Sequence, residues 1–195
     1  MCTLYRLKST AGEIARLFDA EGRASWEPPA SFHPDRAAPV VGHGKAGLVL
    51  AEARWGVPPP ASGSRPVVNI RNLASPFWRG ALARPALRCL VPADDFCEWT
   101  DAPDPGTGRK RKVFFGLEDG SPFAFAGLIR PAPAGSAELP RFAFLTCAPN
   151  AVVAPVHAKA MPVILQPDAW SPWLEGAPAE IFQHPLPDAL LRIVA

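Results

Sequence analysis

Proline sets the terms for this chain: 25 of its 195 residues are Pro. A proline fixes φ and has no N–H to donate, so it belongs at helix starts, in turns and on sheet edges, and it breaks long helices and central strands. With 15 glycines the prolines make up about a fifth of the chain, near the content at which disorder becomes an alternative. Their placement argues for order. They gather at Pro28-Pro29, at Pro58-Pro59-Pro60 and from Pro103 to Pro105, between apolar runs, as stiff loops between short strands do.

Short apolar or β-branched stretches bounded by Gly or Pro predict strands at 47–55, 87–92, 95–100, 112–117, 122–130 and 141–147. Residues 2–8 alternate in polarity, which adds a strand at the start of the chain. Thr10-Ala11-Gly12-Glu13 has the spacing of a capping box and predicts a helix over 10–20, with Ile14, Leu17 and Phe18 on its apolar face. Ser75-Pro76 and Pro167-Asp168 open two further short helices, at 76–84 and 167–175. The expected fold is α+β, a single domain over 1–195 with a mostly antiparallel, barrel-like β core flanked by a few short helices.

No stretch approaches the roughly 20 apolar residues of a membrane span, and the first eight residues lack the apolar core of a secretion signal. A cytoplasmic protein that acts as a monomer without membrane contact is expected. Cys2, Cys89, Cys97 and Cys147 lack the paired two-residue spacing of a zinc site, so no metal, disulfide or cofactor is indicated. The net charge of only +2 means that any phosphate-binding surface must be local. The run Arg109-Lys110-Arg111-Lys112 reads as a solvated hairpin loop that adds non-specific phosphate affinity.

The second position carries distinctive chemistry. Aminopeptidases remove an initial Met before a small residue, which leaves Cys2 with a free α-amine beside its thiol. The amine, with a reference pKa of about 7.7–8.0, attacks an aldehyde to give an imine. The thiol then closes on the same carbon as a five-membered thiazolidine, a product no internal Cys can form because its nitrogen is an amide. A Cys in second place can equally be an ordinary early residue.

Three further segments bear on that choice: Val67-Val68-Asn69-Ile70-Arg71-Asn72, Asp94-Asp95-Phe96-Cys97-Glu98-Trp99, and Val156-His157-Ala158-Lys159-Ala160-Met161-Pro162. In this order, after Met-Cys, they resemble the SRAP family, the SOS-response-associated peptidase-like proteins that shield abasic sites. The likeness runs from Cys2 to about Leu165. It takes in Phe32-His33-Pro34, Ala53-Arg54-Trp55-Gly56, the segment Arg88 to Ala93 and the segment Phe144 to Asn150.

The resemblance implies that Cys2 crosslinks to the aldehyde of an abasic site in single-stranded DNA. It also implies that Asn69 positions Cys2 and the sugar and that Glu98 and His157 manage protons. A His with a reference pKa near 6.5 suits protonation of the closed sugar's ring oxygen. A carboxylate between Phe96 and Trp99 should have a raised pKa, suited to relaying the amine's proton. For DNA contact the resemblance points to Arg71 and Lys159 for phosphate and to Trp55, Trp99 and Pro34 for unstacked bases. Each of these residues also has an ordinary reading: Glu98 as a solvent-facing strand carboxylate, His157 as a loop residue satisfied by backbone, Asn69 as a cap, and the two Trp residues as core.

The sequence departs from the family's usual Cys-Gly-Arg start, because Thr3 and Leu4 follow Cys2. Arg6 is then the candidate replacement for the missing phosphate-binding Arg. Cys97 stands where an aromatic residue commonly precedes the Glu, as an auxiliary nucleophile or, on balance, a small buried hydrophobe. Lys159 replaces an Arg and loses the bidentate fork. Two other functions stay open, an N-terminal-cysteine thiol peptidase and a DNA-binding module without chemistry.

Overall fold

The computed structural model describes residues 2–60 and 63–194. In chain order the elements begin with β1 (Tyr5–Leu7), α1 (Ala11–Leu17), β2 (Ala20–Gly22), β3 (Ala30–Phe32), β4 (Ala37–His43), β5 (Leu48–Trp55) and β6 (Asn69–Ile70). There follow α2 (Pro76–Leu82), β7 (Arg88–Ala93), β8 (Asp95–Trp99), β9 (Lys112–Leu117), β10 (Phe123–Arg130) and β11 (Arg141–Cys147). The chain finishes with β12 (Met161–Pro162), β13 (Ile164–Leu165), α3 (Pro167–Leu174) and β14 (Leu191–Val194).

Five strands close on themselves. β4 pairs β5 and β7, β7 pairs β10, and β10 pairs β11, all antiparallel, while a short parallel contact between β11 and β5 completes the ring. A ring leaves no open edge among these strands, which suits their nearly continuous apolar sequences. A second, open sheet runs β14-β9-β8-β1-β3. The two are joined where β7 gives way to β8 at Asp94, whose carboxylate accepts hydrogen bonds from the backbone of Lys8 and Ser9 and from the Ser9 hydroxyl. The expected α+β architecture with a barrel-like core is the one observed, and most of the expected strands fall within a residue of their predicted limits.

Aromatic rings weld the open sheet to the barrel. Tyr5 on β1 lies 5.2 Å from Phe32 and 5.3 Å from Trp55 between ring centroids, and Trp55 lies 5.1 Å from Phe144, which stacks 4.6 Å from Phe125. Such pairs add roughly 0.5–1.5 kcal/mol each beyond their buried area. Gly127 on β10 faces Cys89 on β7, and a Cβ there would stand 2.6 Å from the Cys89 sulfur and 2.9 Å from a Val91 methyl, so a larger residue would force these buried side chains to shift.

Three expectations need correction. The strand predicted over 2–8 shortens to Tyr5–Leu7, because Cys2 to Leu4 run past the end of β3 without a ladder partner there. The helix predicted over 10–20 has its capping box, Thr10 with Glu13, but stops at Leu17. Asp19 takes a positive φ of 47° and turns the chain into β2, which pairs in parallel with β5. The short strands β2, β3, β6 and β12 to β14 went unpredicted, since two to four residues are too few to display a period, and the seven-residue β4 went unpredicted because Pro39 and Gly42 interrupt its run.

Candidate active site

Cys2 is completely buried at the mouth of β1. Its thiol donates to the Leu4 carbonyl at 3.4 Å, and its own carbonyl accepts the side-chain amide of Asn69 at 2.9 Å. Asn69 arrives there because β6 lies parallel to β11 with Asn69 opposite Phe144. The Asn69 side-chain oxygen is buried and has no hydrogen-bond partner among the described residues. A buried polar atom of this kind is uncommon in a settled core and points to a site.

Glu98 sits one residue from the end of β8, opposite Val113 on β9, and is 1% exposed. Burial pushes its carboxyl up to about 7, and the charge of Asp101 adds to the effect. Glu98 also reaches Cys2 electrically: the Cys2 thiol is held well above its ordinary value by burial first and by the Glu98 charge second. The expected raised carboxyl is therefore present, and the solvent-facing alternative for Glu98 is excluded.

His157 ends a turn in which its N–H donates to the Val153 carbonyl at 2.9 Å. Its Nδ1 faces the peptide of Ala160, 2.9 Å from the carbonyl oxygen and 3.3 Å from the amide nitrogen, donating in one tautomer and accepting in the other. Asp101 fastens this turn to the end of β8. Its N–H donates to the Val156 carbonyl at 3.1 Å, and its carboxylate accepts from the Ala158 N–H at 3.4 Å. Three distant segments thus converge: Asn69 holds Cys2, Glu98 sets the electrostatics of its thiol, and Asp101 moors the His157 turn beside β8.

Around this centre Arg71 and Lys159 are exposed. Trp99 is 38% exposed, with the Lys112 ammonium 5.2 Å from its ring centroid. Pro34 is half-buried in a turn tied to the barrel by the Asp35 N–H, which donates to the Trp55 carbonyl at 2.7 Å. The basic run from Arg109 to Lys112 is exposed, and its first three residues lie in the loop that precedes β9.

Two candidates for DNA contact are corrected. Trp55 is wholly buried, its indole N–H donating to the Val68 carbonyl at 3.0 Å, so it has no face to offer a base. Arg6 is held by Asp95 through two hydrogen bonds of 2.7 and 2.8 Å, with its guanidinium 3.6 Å over the Phe114 ring. Position 6 lies on the far face of the strand from Tyr5, and there Asp95, 1% exposed and also contacted by Lys8, requires the charge. Arg6 does not replace the missing Arg.

Sequence reasoning missed Asp101 and Tyr5. Tyr5 carries a fully buried hydroxyl with no hydrogen-bond partner among the described residues, and its ionisation is suppressed by burial and then by the neighbouring Cys2. Alternation put Tyr5 on a strand but said nothing of its hydroxyl. Cys97 is buried with its thiol pushed up to about 11 by burial, which fits a packing residue. Cys89 and Cys147 are core. Among the described residues no group of three or more His, Cys, Asp or Glu could hold a metal ion, and no helix is long and apolar enough to cross a membrane.

Residues 1–192 match the family model for SOS response associated peptidase (SRAP). The chain is 30% identical over 190 residues to the abasic site processing protein YoqW of Bacillus subtilis, covering 89% of this chain and 80% of that one. It is 28% identical over 185 residues to the abasic site processing protein YoaM of the same organism, covering 89% and 79%. Among solved structures, a Bordetella bronchiseptica protein superposes with a TM-score of 0.78 at 27% identity over the whole of both chains. A Bacteroides thetaiotaomicron protein does so with a TM-score of 0.80 at 17% identity, covering 100% of this chain and 92% of the other. The latter likeness is one of fold alone.

Proposed function

This chain belongs to the SRAP family, and from that premise we propose that Cys2, once Met1 is removed, captures the aldehyde of an abasic site in single-stranded DNA as a thiazolidine. The observation that carries the reading is the Asn69 amide on the Cys2 carbonyl at 2.9 Å, beside a buried Glu98 carboxyl raised to about 7.

The order of steps follows from the acidities. The Cys2 thiol is held protonated by burial and by Glu98, so the amine attacks first. His157 protonates the ring oxygen of the closed sugar, the bond from C1 to that oxygen breaks, and the C1 hydroxyl returns a proton to His157 as the aldehyde forms. The amine nitrogen bonds to C1 and gives one proton to the aldehyde oxygen, which becomes a hydroxyl; its second proton passes through Glu98 to that hydroxyl, which leaves as water to give the imine. The sulfur then adds to C1 while the thiol proton moves to the imine nitrogen. Amine, thiol and aldehyde have become one ring and one water.

Single-stranded DNA suits the surroundings. Arg71 and Lys159 offer charge to phosphate, Trp99 offers a face to one unstacked base, and Pro34 flanks it; such stacking is tolerant of sequence. The raised thiol counts against a peptidase that attacks through a ready thiolate. Denaturing electrophoresis with abasic and intact single-stranded oligonucleotides, read out by intact mass, tests the reading. A species heavier by the abasic oligonucleotide less one water is expected, and its absence with fully Met1-processed protein would overturn the proposal.

A further inference from the structure

β6 is only two residues long, yet it must fix Asn69 against Cys2 and aim Arg71 outward. Its ladder with β11 ends at Ile70 opposite Leu145. Beyond that point side chains replace the ladder. The Thr146 hydroxyl donates to the Ile70 carbonyl at 3.3 Å. Gln183, just past the 3-10 turn Ala179–Phe182, donates through one side-chain nitrogen to the Arg71 carbonyl at 2.7 Å and to the Thr146 carbonyl at 2.9 Å. An amide NH2 has two hydrogens, and both are used to bridge the two strands.

The same segment reaches the His157 side of the site. The Leu186 carbonyl accepts from the Asn150 side chain at 3.0 Å, and the Asp188 carboxylate accepts from the Ala151 N–H at 2.9 Å. Asn150 in turn accepts from the Val153 N–H at 3.0 Å, and Val153 accepts from the His157 N–H at 2.9 Å. Residues 183–188 therefore touch the base of both arms that carry the candidate site, without entering it.

We propose that Gln183 is a positioning residue, the clasp of a C-terminal strap that holds the Asn69–Arg71 arm at its working distance from Cys2 and registers it with the His157 turn. This rests on the reading of Asn69 and Arg71 as site residues. Gln183 is half-buried and Arg71 exposed, so water replaces the lost donors once the amide is gone. The consequence is mobility of the arm more than loss of fold.

The test uses the full chain with Gln183→Leu and Gln183→Glu. Backbone hydrogen exchange over residues 70–73 should quicken in both, and adduct formation with an abasic oligonucleotide should slow by roughly tenfold, the worth of the bond that holds the Arg71 carbonyl. The thermal midpoint should move by no more than about 2–4 °C. Gln183→Glu adds a readout that a merely structural role would not give. Its ionised carboxylate faces two carbonyl oxygens, whereas its protonated form donates one hydrogen bond. Its adduct rate relative to wild type should therefore recover as the pH falls, while the Gln183→Leu ratio stays flat. Unchanged exchange over 70–73, or wild-type adduct rates in both variants, overturns the proposal. A wild-type protein that forms no adduct overturns instead the functional reading beneath it.

Discussion

The Asn69 side-chain amide donates to the Cys2 carbonyl across 2.9 Å, joining residues 67 positions apart in the chain. This bond fixes the backbone that carries the candidate nucleophiles. Asn69→Ala should slow adduct formation by on the order of tenfold, the worth of one buried hydrogen bond. The salt dependence of DNA binding should stay unchanged, since no cation is lost. Single-turnover rates at several salt concentrations check both.

Cys2→Ser keeps the amine and exchanges sulfur for a poorer nucleophile. It should form an imine that is lost on heating and becomes permanent only after borohydride reduction, whereas the wild-type adduct survives denaturation unaided. Cys2→Ala should behave as Cys2→Ser does. Gel mobility with and without reductant distinguishes these outcomes.

Glu98 has a folded pKa of about 7 against an ordinary 4.5, so the native state holds its proton more tightly than the unfolded chain does. The favourable contribution is full below about pH 4.5 and is lost as pH rises through about 7. At about 1.36 kcal/mol per pKa unit, ionised Glu98 costs up to about 3 kcal/mol above neutrality. Glu98→Gln should therefore gain stability relative to wild type at pH 8 and not at pH 4.5, measured by urea unfolding. In the adduct reaction the same variant should lose the rise in rate centred near pH 7 and keep only the later rise that tracks the terminal amine.

Arg6 and Asp95 form a nearly buried pair, and removing one partner strands the other. Arg6→Ala should destabilise the fold by about 3 kcal/mol, softened by Lys8, which also contacts Asp95. The salt slope of DNA binding should not change. A slope lower by about one unit would restore Arg6 as a phosphate contact.

The two tryptophans should separate cleanly. Trp99→Ala should weaken single-strand binding by about 1–3 kcal/mol with little effect on unfolding. Trp55→Ala should cost about 3–5 kcal/mol of stability through the cavity it leaves. Unfolding midpoints and fluorescence anisotropy together decide.

Long strands were legible because each displays its own pattern: 112–117 and 141–147 begin and end where β9 and β11 do. The capping box of α1 was equally local. Glu98 and His157 were legible only as members of motifs, since an isolated Glu or His reads as surface. That Trp55 is buried while Trp99 keeps an exposed face was not legible, because burial depends on which neighbours close over a ring. Asp101 and Gln183 gave no signal, as their partners lie at Ala158, Arg71 and Thr146.

By itself the sequence determined the punctuation of the chain, its α+β character and the chemical types available near its start, since proline, capping and alternation act between near neighbours. Tertiary structure alone decided that Asn69 meets Cys2, that Glu98 is buried deeply enough to titrate near neutrality, and that Arg6 belongs to Asp95. Those outcomes depend on pairing between strands distant in the chain and on the desolvation that their packing imposes, which no local window contains.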